Sequence, residues 1–362
     1  MHYGEELDEG RWIGAVRRAY ERGIRTFLTA DVYGSGEADS LLGQALAGLP
    51  RDSYSLVGAV GHDFYRGKRD GAKGFPRFTH SSLRRPTDYG DYLRMATERS
   101  LERCRVDRFD LVLLHNPDVV GYTSDAVWKG MQRLKEEGMT ELLGLAPGPA
   151  NGFTLDLIQA FERYGELLDW AMIILNPLEP WPGRLVLGAA SKNETRLITR
   201  VVDYGGLFHD DVKSGHVFGT SDHRGFRPPG WVAAGVEKLE QLRPLATRHG
   251  MTLLQFACAW NLAQAGVASV VPTMIQEIGI EAKSIESKID ELAAVRRVKF
   301  SDGELEEIRR IGDNQGCMHL KGAQPGFSGY PEADRWGLNR DLEEVARRWS
   351  IDPAQDLSCT HA

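Results

Sequence analysis

No apolar run in this chain approaches the eighteen or so residues that a membrane span needs, so a membrane protein is excluded at the outset. A basic excess is also missing. Lys and Arg number 44 against 51 Asp and Glu, a formal net charge of -7, and the basic residues form no face that would fit a nucleic-acid backbone. Arg84-Arg85, which flank Pro86, and Arg309-Arg310, which follow Glu306-Glu307, read as solvated surface. The first ten residues carry Glu5, Glu6, Asp8 and Glu9 rather than a basic and then apolar leader, so the expected location is the cytoplasm. Cysteine is scarce, with Cys104, Cys258, Cys317 and Cys359 the only four. Cys104 and Cys258 fall inside helical patterns and read as small buried apolar residues.

What is present is ordinary globular material, 42% hydrophobic and 26% charged, enough for one large core or two smaller ones. Short apolar runs alternate with longer helical patterns, the arrangement of a parallel α/β fold. Strands are expected at Arg25–Thr29, Tyr54–Val60, Asp110–His115, Glu141–Ala146, Trp170–Asn176, Arg196–Val202 and Ala268–Pro272. Helices are expected at Arg11–Arg22, from Glu37, and at Tyr92–Cys104, Ser124–Glu137, Leu155–Tyr164 and Thr252–Gln264. Gly23 can end the first helix with a positive φ. Seven strands fall one short of a closed eight-stranded barrel. The missing strand is the first, because about ten residues before the first helix are too few to hold it; a truncated or misassigned start is the preferred explanation. Residues 1–312 are read as the barrel, and 313–362 as a C-terminal extension packed on it, with a helix at Arg340–Trp349.

Several motifs carry chemistry. The run GIRTFLTADVYGSGEADSLLGQAL at Gly23–Leu46, FDLVLLHNPD at Phe109–Asp118, LKEEG at Leu134–Gly138, Asn176-Pro177-Leu178, GGLF at Gly205–Phe208 and VVPT at Val270–Thr273 occur in one order. Together they resemble the aldo/keto reductases over most of Met1–Leu292. The resemblance implies a (β/α)8 TIM-type barrel that reduces small carbonyl compounds with NADP(H). That family uses an aspartate, a tyrosine, a lysine and a histidine. A phenol with a pKa near ~10 is a poor acid at neutral pH, and an adjacent ammonium makes it a better one.

Carried onto this chain, the tyrosine is Tyr33, as proton donor, and the histidine is His115, orienting substrate. The aspartate position holds Leu28 and the lysine position Ala59, a paired loss that leaves no orphaned charge. The cofactor positions implied are Asn176, Arg200, Gly206, Leu207, Lys283 and Ser284, while the Ser-Asn and glutamine that hold the nicotinamide amide read Ala146-Pro147 and Met172. A non-redox lyase or isomerase in the same barrel, or a ligand-binding pseudoenzyme, is the alternative reading.

Other polar groups have plainer expectations. His62 and Asp63 follow a strand toward the same mouth and serve either as an acid–base pair or as ordinary loop polarity. Arg200 and Asp203 are expected to form a mutual salt bridge. His209-Asp210-Asp211 reads as a solvated turn rather than a metal site. Cys317-Met318-His319 and Cys359-Thr360-His361 match no familiar zinc spacing, and no metal is expected.

Overall fold

The computed structural model describes residues 3–70, 74–148, 153–219, 222–227, 230–314 and 338–357. Cys317, His319, Cys359 and His361 lie outside them. Seven parallel strands run β1 (Thr26–Leu28), β2 (Ser55–Val60), β3 (Phe109–His115), β4 (Thr140–Ala146), β5 (Trp170–Ile174), β6 (Arg196–Arg200) and β7 (Val267–Val271). Each pairs with its sequence neighbour, in the order β1 to β7. Among the described residues β7 and β1 do not pair, so the curled sheet is open at one seam. The expected seven-strand count holds, and each boundary lies within two residues of its expected place.

Two apolar layers explain the curl. Helices cover the outside, where Leu93, Val127, Met131, Ile158, Phe161, Leu254 and Phe256 are fully buried against the strands' outer faces. A second, smaller cluster fills the inside. Ala30, Val57, Ala59, Leu111, Leu113, Ala146, Met172 and Ile198 pack there with Leu28 and Val271 at its margin. Alternation along parallel strands buried on both faces gives such near-continuous apolar runs. Leu28 and Ala59 are thus part of an apolar floor.

Local signals fix the helices. Asp8 caps the helix Glu9–Glu21 by accepting the Arg11 N–H at 2.8 Å, and Gly23 has a φ of 93°. Thr252 and Gln255 form a reciprocal capping box ahead of Leu253–Leu262. The sequence reading leaves out the long helix Trp231–Arg248, whose interior Pro244 removes a backbone donor and interrupts its pattern.

Two expectations need correction. Arg84 is not solvated: its side chain is 5% exposed and pairs with the fully buried Asp63, drawing the far part of the Gly61–Asp91 loop back to its start after β2. Arg200 and Asp203 do not pair. Asp203 instead accepts the N–H of Gly206 at 2.8 Å and of Thr273 at 2.7 Å, because two backbone donors at the loop turn reach it first. Arg309 is at the surface as expected, paired with Glu306.

The described part of the C-terminal extension packs on the barrel flank. Helix Arg340–Arg348 lies against helix Thr154–Tyr164, burying Leu342, Val345 and Ala346. Glu162 receives Arg348 and the Trp349 indole, the latter at 2.9 Å.

Candidate active site

In a parallel barrel all strands end at one face, and side chains from those ends converge there. His115 is the last residue of β3, in register with Ala146 of β4. Gly61 sits against it so closely that an added Cβ would stand 2.1 Å from the His115 carbonyl oxygen. Tyr33 opens a 3-10 turn after β1, with its N–H bonded to the Ala30 carbonyl at 2.9 Å. His62 follows β2. The three rings meet edge to face: Tyr33 and His115 have centroids 5.8 Å apart, and His62 and His115 5.3 Å apart.

Hydrogen bonds set the state of His62. Its Nδ1 lies 2.9 Å from the Phe75 carbonyl and its Nε2 3.1 Å from the Asn116 amide nitrogen. The first contact requires a donor and the second an acceptor, so the ring is the neutral Nδ1–H form. Burial, reinforced by the Arg77 cation, pushes its pKa down to about 4. His115 is 8% exposed, with a buried Nδ1 that has no partner. Burial, then His62, Arg200 and Arg77, drive its pKa well below the ordinary imidazole value. Both imidazoles are neutral at pH 7.

Tyr33 is 46% exposed, and desolvation by its surroundings raises the phenol pKa. Arg200 is the cation that opposes the rise. With Ala59 beneath, no ammonium stands where the resemblance would place one. The phenol therefore stays protonated at neutral pH.

Two further groups, Glu179 and Arg227, act on this mouth, and a third, Asp31, is buried behind Tyr33; the sequence reading singled out none of them. Glu179 follows β5 in the Asn176-Pro177-Leu178 block. It is 2% exposed with an unpartnered Oε2, and burial pushes its pKa up to about 8. Arg227 lies over the Trp231 ring at 4.1 Å, in the loop identified only as variable. Asp31, two residues before Tyr33, is fully buried with both oxygens unpartnered. Burial, and then the neighbouring Asp39 charge, raise its pKa well above the carboxylate range. The block around Asn176 was the one available signal for Glu179; Arg227 and Asp31 had none, because their roles depend on contacts far apart in sequence.

The positions that the resemblance assigns to NADP(H) divide into two groups. Asn176 donates to the Val201 carbonyl at 3.0 Å and accepts the Leu178 N–H at 2.9 Å. The Gly206 N–H is directed to Asp203, and Leu207 is fully buried. The Ser284 hydroxyl caps the helix Ile285–Ala293, while the Lys283 ammonium lies 3.5 Å from Glu291. Arg200 differs, since among the described residues it meets only carbonyls, those of Pro147 at 3.1 Å and Gly148 at 2.8 Å. Among these positions Arg200 alone keeps a cation without a carboxylate partner among the described residues, the one feature of the set that suits an anionic part of a dinucleotide. Ala146 and Met172, in the apolar floor, give a nicotinamide amide no polar partner.

His209, Asp210 and Asp211 are each engaged elsewhere. His209 Nε2 reaches the Thr273 carbonyl at 2.8 Å, Asp210 holds Arg243 and Lys213, and Asp211 pairs with the buried Lys288 at 2.6 Å. Among the described residues no cluster of three His, Cys, Asp or Glu could hold a metal ion. Two surface grooves lie away from the strand-end mouth, around Arg105, Val106 and Asp107.

A parallel barrel with a tyrosine and a histidine at its strand ends defines a class of small-molecule enzyme folds. The chain belongs to the Aldo/keto reductase family, whose profile matches residues 1–313. It is 26% identical over 335 residues to probable aldo-keto reductase 1 of Glycine max, covering 88% of this chain and 85% of that one. It is 24% identical to the NADH-specific methylglyoxal reductase of Escherichia coli (strain K12), covering 85% of this chain and 89% of that protein. Two solved structures share the fold. The glycerol dehydrogenase of Gluconobacter oxydans has a TM-score of 0.66 at 20% identity, over 85% of this chain and 86% of that one. An aldo/keto reductase of Klebsiella pneumoniae in complex with NADP and acetate has a TM-score of 0.60 at 19% identity, over 88% and 91%.

Proposed function

We propose that this protein is an NADP(H)-dependent oxidoreductase of a small polar carbonyl compound. Tyr33 donates to the carbonyl oxygen and a neutral His115 orients it. The observation that carries this reading is the edge-to-face Tyr33–His115 pair at the strand-end mouth. When bound, the cofactor supplies the hydride, with Arg200 holding its anionic part.

The chain's own residues bear on the rate of proton transfer. A phenol with a raised pKa keeps its proton across the neutral range but is a weak acid. Turnover is therefore expected to be slow, because the apolar Leu28–Ala59 floor does not assist proton release.

The test is carbonyl-dependent oxidation of NADPH by wild type and by a Leu28→Asp, Ala59→Lys double variant. Slow wild-type turnover that rises by about tenfold or more in the double variant is the expected result, as for a restored acid. Absence of turnover in both, with NADPH bound, would end the redox reading.

A second reading, a non-redox lyase or isomerase, draws support from the apolar floor together with the His62–His115 contact. It requires turnover without nucleotide that disappears in a Tyr33→Phe, His115→Ala double variant.

A further inference from the structure

Among the described residues the His115 ring has no hydrogen bond to fix it. Its Nδ1 is buried without a partner, although the state of one imidazole nitrogen is ordinarily set by a bond at the other. Packing takes over that task. Besides Tyr33, the ring that meets His115 is His62, 5.3 Å away and inclined by 72°. The backbones approach closely on this side, for Gly61 leaves no room for a Cβ beside the His115 carbonyl oxygen.

His62 is locked at both ring nitrogens. Its Nδ1–H donates to the Phe75 carbonyl at 2.9 Å, and its Nε2 accepts the Asn116 amide N–H at 3.1 Å. An antiparallel bridge joins its backbone to Arg77. So engaged, His62 is a fixed wall beside His115 rather than an acid–base group.

Asn116 supplies one of those two bonds from a strained backbone. It directly follows His115 with a φ of 46°, in the left-handed region that most side chains avoid and glycine enters freely. The turn itself is held by main-chain groups. The Asn116 N–H reaches the Ala146 carbonyl at 2.7 Å, and the Asn116 carbonyl accepts Arg77 Nε at 2.7 Å. Glycine would serve this turn with less strain, so the amide has a use of its own, and its bond to His62 is that use.

We propose that Asn116 is a positioning residue for His115 and acts through His62. Its amide selects the neutral Nδ1–H form of His62 and fixes that ring, which in turn sets the plane of His115. The charges acting on the two imidazoles come from Arg77, in the loop after β2, and Arg200, on β6; both favour the same neutral state. Tyr33 and Tyr92 add phenols, and Asp63 is turned to Arg84. The inference takes from the proposed function only the choice of His115 as the group that meets substrate.

The experiment labels the histidines of the full chain with nitrogen-15 and reads both rings by long-range proton–nitrogen correlation from pH 5 to 8. It is paired with steady-state reduction of methylglyoxal by NADPH. Asn116→Gly keeps the backbone and removes the amide. Asn116→Asp tolerates the same φ but replaces the donor by an acceptor. In wild type, His62 is expected as one Nδ1–H tautomer that does not titrate in this range. In Asn116→Gly it becomes a tautomer mixture and the His115 ring signals shift or broaden. There kcat falls roughly 10- to 100-fold at an unchanged KM for NADPH, the scale of a displaced group. In Asn116→Asp the carboxylate demands a proton on Nε2, so the His62 pKa rises from about 4 to about 6–7 and kcat gains a limb there.

The proposal is overturned if Asn116→Gly leaves both rings as in wild type, since the residue then only forms the turn, or if His62 responds and His115 does not. Should Asn116→Gly fail to fold, the same two rings in Asn116→Asp decide. Rings that respond, with no methylglyoxal turnover in wild type, would support this inference and tell against the reductase reading. Wild-type turnover with rings indifferent to Asn116→Gly would do the reverse.

Discussion

At the scale of single residues, the mouth is built from groups whose ordinary charge states have been reversed or suppressed. His62 and His115 are neutral because burial and nearby arginines oppose a proton, and Tyr33 keeps its proton because burial opposes the phenolate. Tyr33→Phe is therefore expected to lower carbonyl turnover by roughly 10²- to 10⁴-fold, the usual range for a positioned proton donor. Wild-type turnover should be flat from pH 6 to about 7, since neither imidazole nor phenol changes state there and Glu179 at the same mouth titrates higher, at about 8. A kcat–pH profile checks this, and a midpoint near neutrality would assign the proton to another group.

Glu179 gives a second prediction. Its pKa, about 8 in the folded protein, lies above the ordinary glutamate value of about 4.3, so the folded state binds more protons between those values. Its contribution to stability is full below the lower pKa and is lost as pH rises through the window. Tm measured from pH 5 to 8.5 should fall more for wild type than for Glu179→Gln, and parallel curves would refute the assignment.

At the scale of elements, the strand run and the helix order were legible in the sequence because apolar periodicity reports burial directly. Each expected strand appears, and the fully buried Val112, Leu113 and Leu114 show why the β3 run was so clear. Tyr33 and His115 were legible through the resemblance to the aldo/keto reductases, and the structure brings their rings to 5.8 Å. The partners of charged side chains were not legible. Arg84 looked solvated beside Arg85 and Pro86, yet it reaches back 21 residues to Asp63; Arg200 passes Asp203 for carbonyls more than 50 residues away. Such choices depend on which long-range donors and acceptors converge after folding. Removing one member of a buried pair leaves an unpaired charge, so Asp63→Ala is expected to cost about 3–5 kcal/mol. Because Asp63 also accepts the Tyr65 and Arg66 N–H groups, hydrogen exchange should rise first across residues 61–70. Protection equal to wild type there would mean that the loop is held by its aromatic contacts alone.

At the scale of the whole molecule, an open parallel sheet leaves two strand edges and a seam between β7 and β1. Here that seam is bridged near the mouth by loops and charge rather than by a strand. Gly4 donates to Asp222 at 2.8 Å, and Glu5 donates to the Gln276 carbonyl at 2.7 Å. Asp222 and Glu277 both hold Arg224, whose side chain is 1% exposed. The N-terminal segment, the loop after β6 and the loop after β7 thus meet at one buried guanidinium. The contact has no slack at Gly4: its φ is 65°, and an added Cβ would stand 2.1 Å from the Gln276 carbonyl oxygen. Gly4→Ala should undock the N-terminal segment while leaving the Arg224 pairs intact. Glu277→Ala should leave Arg224 half-neutralised, at a cost of about 3–5 kcal/mol, which for a chain of this size lowers Tm by several degrees. If the seam is held in this way, limited proteolysis will cut within residues 212–227 faster in both variants, and the larger Tm loss will fall on Glu277→Ala. Unchanged cleavage in both would mean that the helices Glu9–Glu21 and Ile285–Ala293, joined through the Arg18–Asp290 pair, close the barrel by themselves.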